Sequence, residues 1–443
     1  MQRGISEPEG ASVTYPATNG PTILLRSSWQ TPNIGDVAHT PGALRALARY
    51  APDARLVLWP VAIGARERTM LAAAFPQVDV VDGELRPDGS ATTPELAAAL
   101  DAADVLVHGS GPSVVAADDV RVWAATGRPY GFFGISVDPL NPMFTGTLDE
   151  IETMVRSLGR GGVDDHQLAV LDGAAFVYCR DSVTEVFLRS LGLTGPAVAF
   201  GPDATVAFDL LDEEAAAATK ARHGLVDGEY LCAVPRLRWT PYFRIRGEVP
   251  SPLDFRRTAY NELWADHDLG VLAAAMVAYV RRTGHPVLVA PEMSYAVELA
   301  ERHFGDALPA DVRPYVRVLD RFWSAPEAMT VYRDAQAVVS LECHSPLMAL
   351  SQGTPAVYVR QPTDTLKGRM FADLGVAHRG TEIGDGPVPV VTALQRILDD
   401  PVAARAETAA VRERAHDRLR GMAEHVLACA APLTRRTAPP LGT

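Results

Sequence analysis

Residues 341–346 read Leu-Glu-Cys-His-Ser-Pro, and they follow the apolar run Ala-Val-Val-Ser at 337–340. That run is typical of a short buried strand, and residues 346–353 are typical of a helix. Polar side chains therefore lie where a strand ends and a helix begins, which in an open parallel sheet is the edge that faces the ligand crevice. Free N–H groups at the helix start favour an anion there. We predict that Glu342 and Ser345 contact a ligand and that His344, rather than being a core or capping histidine, exchanges a proton with it.

Short apolar runs of this kind alternate with Ala-rich helical stretches along the whole chain, which predicts β-α units and parallel sheets. The predicted strands are 22–25, 55–58, 78–81, 104–108, 130–136 and 176–179, followed by 230–234, 286–290, 315–318, 335–340 and 356–359. The fold class is therefore α/β, with two facing Rossmann-like domains and a cleft between them. The predicted divisions are a disordered lead-in (1–20), an N-terminal domain (21–210), a linker (211–228) and a C-terminal domain (229–443) that ends in a long helix, 401–429.

Length, charge and cysteine usage narrow the class of protein. The chain has 443 residues, which suggests two domains, and its net charge of −13 argues against a nucleic-acid partner. The four cysteines have neither CxxC nor metal-ligand spacing, so we expect a reduced compartment and no metal site. The longest apolar run, 271–280, is too short to span a bilayer, and the first twenty residues lack an apolar signal core. We expect a cytoplasmic protein without an integral membrane segment; a homo-oligomer is compatible with the sequence.

Polar turns follow several other predicted strands, and a doubly wound fold gathers such turns at the carboxyl edges of its sheets. Two facing domains then place a small-molecule site between them. Besides the opening segment, the residues that we predict to contact substrate are Asn33, Gly35, Asp36, His108, Gly109, Ser110, Gly111, Arg180, Arg236, Arg238 and Lys367.

Several of these residues have a second interpretation. Asp36 is either a ligand contact or simply the cap of the following helix. The loop 108–111 can turn backbone amides toward an anion, but it matches neither the dinucleotide fingerprint nor the phosphate loop, so NAD and ATP are set aside. Arg180 binds a carboxylate or phosphate, or it pairs with Asp181 to fix the turn. Lys367 reaches an anion or lies on a solvated helix face.

Two further features concern the cleft. Arg236 and Arg238 alternate after a strand, so one is expected to point into the crevice and the other away if the extended backbone continues through them. The segment 236–267 is rich in Arg and aromatic residues and has no clear period, which indicates either a loop over the cleft or a surface excursion. Cys343, beside the histidine, is interpreted as a small buried residue and not as a nucleophile.

The order of these motifs resembles the polysaccharide pyruvyl transferase family, from about residue 22 to residue 376. The resemblance rests on the ordered series and not on any single motif. In this chain the series consists of Asn33-x-Gly35-Asp36, Gly109–Gly111, Gly131-Phe132-Phe133-Gly134-Ile135, Arg180-Asp181-Ser182, Pro202-Asp203, His344, Gly353-Thr354-Pro355 and Lys367.

This resemblance implies a GT-B-like fold and transfer of the enolpyruvyl unit of phosphoenolpyruvate to a sugar hydroxyl. It implies His344 as the general acid and Arg180 as an anion binder, with no metal or nicotinamide cofactor. The expected partners are thus a small anionic donor and a hydroxylated acceptor. The family usually has an arginine two residues before the histidine, where this chain has Glu342. Arg236, Arg238, Arg360 and Arg369 are the candidates to supply that charge.

Two other functions are compatible with the same fold. One is a glycosyltransferase that uses a nucleotide-sugar donor, for which an acidic residue such as Glu342 suits ribose binding. The other is a catalytically inactive homologue that binds a glycan or a partner enzyme.

Overall fold

The computed structural model describes residues 20–27, 30–140, 144–305 and 308–430. They form two domains, each built on a parallel sheet with helices on both faces. The predicted α/β class with two Rossmann-like domains is therefore confirmed. Apart from Gly20, the predicted disordered lead-in lies outside the described residues.

The N-terminal domain contains seven strands and seven α-helices in the described residues. Its strands are β1 Thr22–Ser27, β2 Arg55–Pro60, β3 Asp79–Val80, β4 Val105–His108, β5 Tyr130–Ile135, β6 Phe176–Cys179 and β7 Ala197–Phe200. Its helices are α1 Ile34–Tyr50, α2 Ala65–Ala74, α3 Pro94–Ala102, α4 Ala117–Ala124, α5 Leu148–Ser157, α6 Asp165–Asp172 and α7 Ser182–Ser190. Helix α8, Glu213–His223, follows and packs against the C-terminal domain, where Thr219 donates a hydrogen bond to Glu327.

The C-terminal domain repeats the same alternation. Its strands are β8 Leu231–Val234, β9 Val287–Val289, β10 Val316–Val318, β11 Ala337–Ser340, β12 Ala356–Arg360 and β13 Gly380–Glu382. Its helices are α9 Tyr242–Arg246, α10 Pro252–Thr283, α11 Ala296–His303, α12 Ala325–Asp334, α13 His344–Ser351, α14 Lys367–Phe371, α15 Pro387–Asp399 and α16 Pro401–Ala430.

The two sheets have the same strand order where they correspond. The order is β3-β2-β1-β4-β5-β6-β7 in the first sheet and β10-β9-β8-β11-β12-β13 in the second, with every pairing parallel. In both sheets the chain reverses direction beside the first strand of the domain, which is the switch point where doubly wound folds bind ligands. The loops after β1 and β4 and those after β8 and β11 therefore carry the residues that line the cleft.

The segment 236–267 differs from its prediction. Its first part contains the short helix α9, and from Pro252 onward it belongs to α10, where Ser251 and Asp254 form a capping box. This helix is long and apolar enough to cross a membrane by length and composition, yet 44% of its most apolar window is buried within the fold. Leu272 and Met276 are completely buried in the core of the C-terminal domain. We interpret α10 as a core helix.

Helix α16 connects the two domains. Its first turns pack in the C-terminal domain, where Ala404 joins that core. Further along, the Tyr178 hydroxyl lies 2.8 Å from His425 Nδ1, and Met422 packs against Gly201. The sequence prediction assigned the whole helix to the C-terminal domain, whereas its second half covers the N-terminal domain. The chain therefore passes between the domains twice, once before α8 and once within α16.

Backbone hydrogen bonds also join the two domains in front of α1. Ile34 N–H donates to the Glu292 carbonyl at 3.0 Å, and Ser294 N–H donates to the Pro32 carbonyl at 3.0 Å. Asn33 and Met293 form an isolated antiparallel bridge between them. This bridge fixes the start of α1 against the loop that follows β9.

Candidate functional site

A cavity of about 200 Å³ lies between the domains at the carboxyl edges of both sheets. Its lining includes five cationic and two acidic side chains, a balance that favours an anionic ligand. We call it the cationic cavity. It is lined by Gln30, Asn33, Asp36, Pro112, Arg180, Arg236, Arg238, Trp239, Thr240, Tyr242, Arg257, Met293, Glu342, His344, Thr363 and Lys367.

Most of the predicted site residues meet in this cavity, and a second group does not line it. A larger cavity of about 670 Å³, bordered by α2, the start of α8 and the loop before α12, contains none of the predicted residues among the described residues that line it. The predicted residues outside the cationic cavity are Gly35, His108, Gly109, Ser110, Gly111 and Ser345.

Asn33, and not Asp36, caps helix α1. The Asn33 side-chain oxygen accepts hydrogen bonds from the backbone N–H groups of Gly35 (2.8 Å) and Asp36 (3.2 Å). The Asp36 carboxylate is therefore not consumed by capping and lies in the first helical turn, where the positive end of the helix dipole stabilises its charge. This resolves the two interpretations of Asp36 in favour of a residue that faces the cavity.

The small size of Gly35 leaves room for the side chain of His344. A Cβ atom built at this position would lie 2.6 Å from His344 Cγ and 2.7 Å from its Nδ1, closer than any side chain tolerates. Glycine thus lets the ring of His344, from the other domain, approach the backbone of α1. Its contribution is to the position of the histidine and not to a direct ligand contact.

His344 is the first residue of α13, four residues after β11 ends, as the strand-to-helix turn predicted. Its Nε2 lies 3.0 Å from Nε2 of His39, a residue of α1 that the sequence analysis did not select. Burial is the main cause that lowers the pKa of both rings to about 4. Both imidazoles are therefore neutral near pH 7 unless negative charge is brought beside them.

Each ring of this pair is held through its other nitrogen. His39 Nδ1 lies 3.3 Å from the carbonyl oxygen of Ser110, and His344 Nδ1 lies 3.3 Å from Oε1 of Glu292. Glu292 is completely buried, and burial raises its pKa. Its other oxygen accepts 2.7 Å hydrogen bonds from both the backbone N–H and the hydroxyl of Ser345. Ser345 therefore orients Glu292, and Glu292 orients His344.

Arg180 is a buried cation with one free donor. Its side chain pairs with Asp203 at 2.8 Å and donates to the Ser136 hydroxyl at 3.0 Å. Although burial opposes it, the charges of His39, Arg180 and His344 hold the pKa of Asp203 well below its usual range. Among the described residues, Nη2 of Arg180 has no hydrogen-bond partner. A buried guanidinium N–H without a partner at the wall of a cavity is a ready donor for an anion.

Arg236 supplies a positive charge beside Glu342. Its Nε lies 3.2 Å from the Glu342 carboxylate, and its Nη1 contacts Asp364. Burial raises the pKa of Glu342 to about 7, with Arg236 opposing the change. Burial disfavours the charge of Arg236, yet Glu342 together with the neighbouring Tyr295, Tyr358 and Cys343 raises the pKa of the guanidinium. Of the candidates for the missing family arginine, Arg236 is the one that contacts Glu342.

Arg238 also lines the cavity, so the expectation that only one of the two arginines faces the crevice is wrong. Strand β8 ends at Val234, and the backbone after it bends, which removes the alternation of an extended chain. Arg238 forms two hydrogen bonds to Asp268 and stacks on Trp264 at 4.0 Å. Its charge is already matched by that carboxylate.

Lys367 stands at the start of α14, half-buried in the cavity wall. Two residues earlier, Thr365 has a φ of 51°, a strained conformation for a residue other than glycine. The Thr365 carbonyl accepts from Arg360, which is buried and paired with Glu382. Arg360 and Arg369 lie outside the lining of the cavity.

The loop 108–111 packs beneath the cavity. His108 is buried against Phe132, its Nδ1 lies 2.8 Å from the Gly109 carbonyl, and burial lowers its pKa to about 4. The Ser110 hydroxyl donates to the Phe133 carbonyl and accepts from the Ala204 N–H. The structure thus gives this loop a supporting position, because its polar groups are used to hold β5, residue 204 and His39.

The donor atoms of three residues come close enough to share a metal ion. One ligand atom each from Asp36, His39 and His344 lies within 4.8 Å of the others. No metal site was predicted, on the grounds of cysteine spacing and of the family resemblance. These three residues belong to two domains and show no local ligand spacing that would have indicated one.

Comparisons with known proteins agree with this architecture. A family model described as polysaccharide pyruvyl transferase matches residues 33–361. None of the curated proteins matches the sequence. Among solved structures, Anabaena Alr3699/HepE in complex with UDP and glucose aligns with a TM-score of 0.53 at 12% identity, covering 93% of this chain and 100% of that chain.

Two further solved structures have a similar fold. The UDP-GlcNAc 2-epimerase of Neisseria meningitidis, bound to UDP-GlcNAc, aligns with a TM-score of 0.52 at 9% identity, covering 92% of this chain and 100% of that chain. Staphylococcus aureus MnaA with UDP aligns with a TM-score of 0.51 at 11% identity, covering 87% and 90%. At these identities the likeness concerns the fold alone, which is of the GT-B type.

Proposed function

The chain belongs to the polysaccharide pyruvyl transferase family and is a transferase of GT-B fold, and on this basis we propose that it transfers the pyruvyl unit of phosphoenolpyruvate to a hydroxyl of a sugar or related small molecule. The observation that carries the proposal is the cationic cavity, which is lined by both His344 and Arg180, whose guanidinium keeps one N–H without a partner among the described residues. Anion binding and proton transfer are the two requirements of this reaction.

The donor carries a carboxylate and a phosphate, and the cavity has cations that are not matched by internal carboxylates. Arg238 is paired with Asp268, and Arg236 with Glu342. Arg180 keeps one free donor despite its pairing, and Lys367 and Arg257 add charge at the cavity wall. We assign donor binding to Arg180, Lys367 and Arg257.

The proposed chemistry begins at His344. Its Nε2 gives a proton to the methylene carbon of phosphoenolpyruvate, which makes the adjacent carbon electrophilic. An acceptor hydroxyl attacks that carbon and returns a proton to His344. Phosphate then leaves with the electrons of its C–O bond, and a second hydroxyl of the acceptor adds to the same carbon, releasing its proton to the departing phosphate, to close a cyclic ketal. Burial keeps the ring neutral near pH 7, so the negative donor beside it has the role of raising its pKa into the working range.

Phosphate release on incubation with phosphoenolpyruvate and candidate glycans tests the proposal. His344→Asn removes the proton donor and is expected to abolish release, whereas His378→Ala, which changes a half-exposed histidine paired with Glu407, is the matched control. Undiminished turnover by His344→Asn would overturn the assigned role.

Thermal-shift measurements separate this proposal from its rivals. Stabilisation by phosphoenolpyruvate supports it. Stabilisation by UDP-, GDP- or CMP-sugars alone would replace it with a glycosyltransferase, and acceptor binding without any donor binding would indicate an inactive homologue. We also propose a cytoplasmic location, which agrees with the four cysteines being free thiols.

A further inference from the structure

Asp36 lies beside the histidine pair, and together the three side chains offer ligand atoms for a metal ion. Asp36 and His39 are three residues apart on α1, so their side chains lie on one face of that helix. His344 meets them from α13 of the other domain, and one ligand atom from each of the three lies within 4.8 Å of the others. Asp36 and His344 also line the cationic cavity, so a bound ion would keep open coordination positions toward it.

The hydrogen bonds of the two rings determine which nitrogens carry hydrogen. The Ser110 carbonyl beside His39 Nδ1 can only accept, and the Glu292 carboxylate beside His344 Nδ1 also accepts whenever it is ionised. If both Nδ1 atoms donate, both Nε2 atoms present lone pairs to each other at 3.0 Å. Two facing lone pairs at that distance repel unless a positive centre lies beside both.

The surroundings of the two rings and the separation of their Nε2 atoms match those of a metal centre. Ligating histidines commonly donate their second nitrogen to a carboxylate or a backbone carbonyl, the two partners found here. Zinc–nitrogen bonds of about 2.0–2.1 Å place two cis ligand nitrogens roughly 3.0–3.4 Å apart, which is compatible with the separation of these rings. Asp203, 3.5 Å from His39 Nε2, adds negative charge nearby, and Arg180 offsets part of it.

We infer that Asp36, His39 and His344 form a binding site for one divalent transition-metal ion, held across the interface between the two domains. Two imidazoles and one carboxylate favour ions such as Zn²⁺, Co²⁺, Ni²⁺ or Mn²⁺ over Ca²⁺, which takes oxygen ligands. Resting on the proposed function, one consequence follows. A metal bound to His344 Nε2 takes the lone pair that would carry the reacting proton, so metal occupancy inhibits pyruvyl transfer.

Cobalt provides a probe that does not depend on activity. We expect Co²⁺ alone, titrated into the purified full-length protein, to bind in one equivalent with a visible d–d absorption band, and Zn²⁺ to displace it. Asp36→Asn and His39→Gln are expected to weaken binding by at least about 10-fold, the scale seen when metal-site residues are altered. Asp36 is half-buried and caps nothing, so its variant keeps the fold even if the buried His39 variant does not.

His378→Ala is the control and should leave the cobalt band unchanged. Absence of saturable cobalt binding, or binding that Asp36→Asn and His39→Gln leave intact, would overturn the site. Inhibition of phosphate release by Zn²⁺, reversed by a chelator, supports the stated consequence. Metal binding at these residues without inhibition would keep the site and overturn His344 as the proton donor, so the two failures are distinguishable.

Discussion

Gly35→Ala is the sharpest test of how the site is assembled. The added Cβ would lie 2.6 Å from His344 Cγ, whereas carbon atoms pack best at about 3.5–4.0 Å. The ring would have to move by roughly 1 Å, yet it is buried and held by His39 on one side and Glu292 on the other. Substitutions that overfill such a packed site cost about 1–3 kcal/mol.

The same change elsewhere has the opposite sign, which provides the control. Gly270 lies exposed in α10, and nothing lies within 4 Å of a Cβ built there. Gly270→Ala should therefore stabilise the protein by about 0.4–1 kcal/mol through reduced chain entropy. At Gly35 the same entropic gain offsets part of the clash, and the expected net loss is about 1–2 kcal/mol.

Guanidinium unfolding followed by tryptophan fluorescence measures this difference. We expect the midpoint to fall for Gly35→Ala and to rise slightly for Gly270→Ala. Phosphate release should fall by about 100-fold in Gly35→Ala, because a misplacement of about 1 Å has an effect of that size on catalysis. A Gly35→Ala protein that is as stable and as active as Gly270→Ala would refute the idea that close backbone approach positions His344.

Three further outcomes follow from the described contacts. Arg180→Met should lower the stability by about 3–5 kcal/mol by leaving Asp203 buried and unpaired, and Arg180→Met with Asp203→Asn should recover much of it in the same unfolding assay. Cys343→Ala should retain phosphate release, and its loss in this variant would indicate a nucleophilic role for the thiol. Alkylation of Cys343 in the wild type should be slow, because burial raises the pKa of the thiol to about 12. Met422→Ala should cost about 2–5 kcal/mol by opening a cavity between α16 and the N-terminal sheet, whereas an unchanged melting temperature would mean that this helix does not stabilise the N-terminal domain.

The alternation of strands and helices could be predicted from the sequence because central parallel strands are buried on both faces and appear as short apolar runs. Two edge strands escaped that rule. Strand β13 consists of Gly, Thr and Glu and carries no apolar run, so its pairing is dictated by the neighbouring strand. Strand β7 is the apolar run Ala-Val-Ala-Phe, but it has only four residues and is half-exposed or exposed throughout, unlike the buried central strands.

The start of α10 was missed although a local signal was present. Ser251-Pro252-Leu253-Asp254 has the residues of a capping box with proline at the first helical position. Arginines and aromatic residues are mixed around this cap, so the apolar residues there show no clear helical period. In the structure these side chains stack on one another, as Arg257 does on Trp239. The capping box and the proline together predict the start of α10 at Pro252.

The site was predicted in outline, and its central contacts were not. His344 and Arg180 could be selected because they follow strands, and the topology then places them at a cleft. His39 lies 305 residues from His344 in the chain, and Glu292 meets His344 only after the loop behind β9 has folded over it. Contacts made across a domain interface leave no spacing in one sequence, apart from the i, i+3 relation of Asp36 and His39 on their helix.

The contact between His39 and His344 joins side chains of different domains. The distance between the two rings therefore depends directly on the angle between the domains. A hinge rotation that opened the cleft would separate the two rings before it disturbed either sheet, because each ring is fixed to a helix of its own domain. The imidazole resonances of these two residues would then report domain closure in solution, independently of any ligand that the cavity holds.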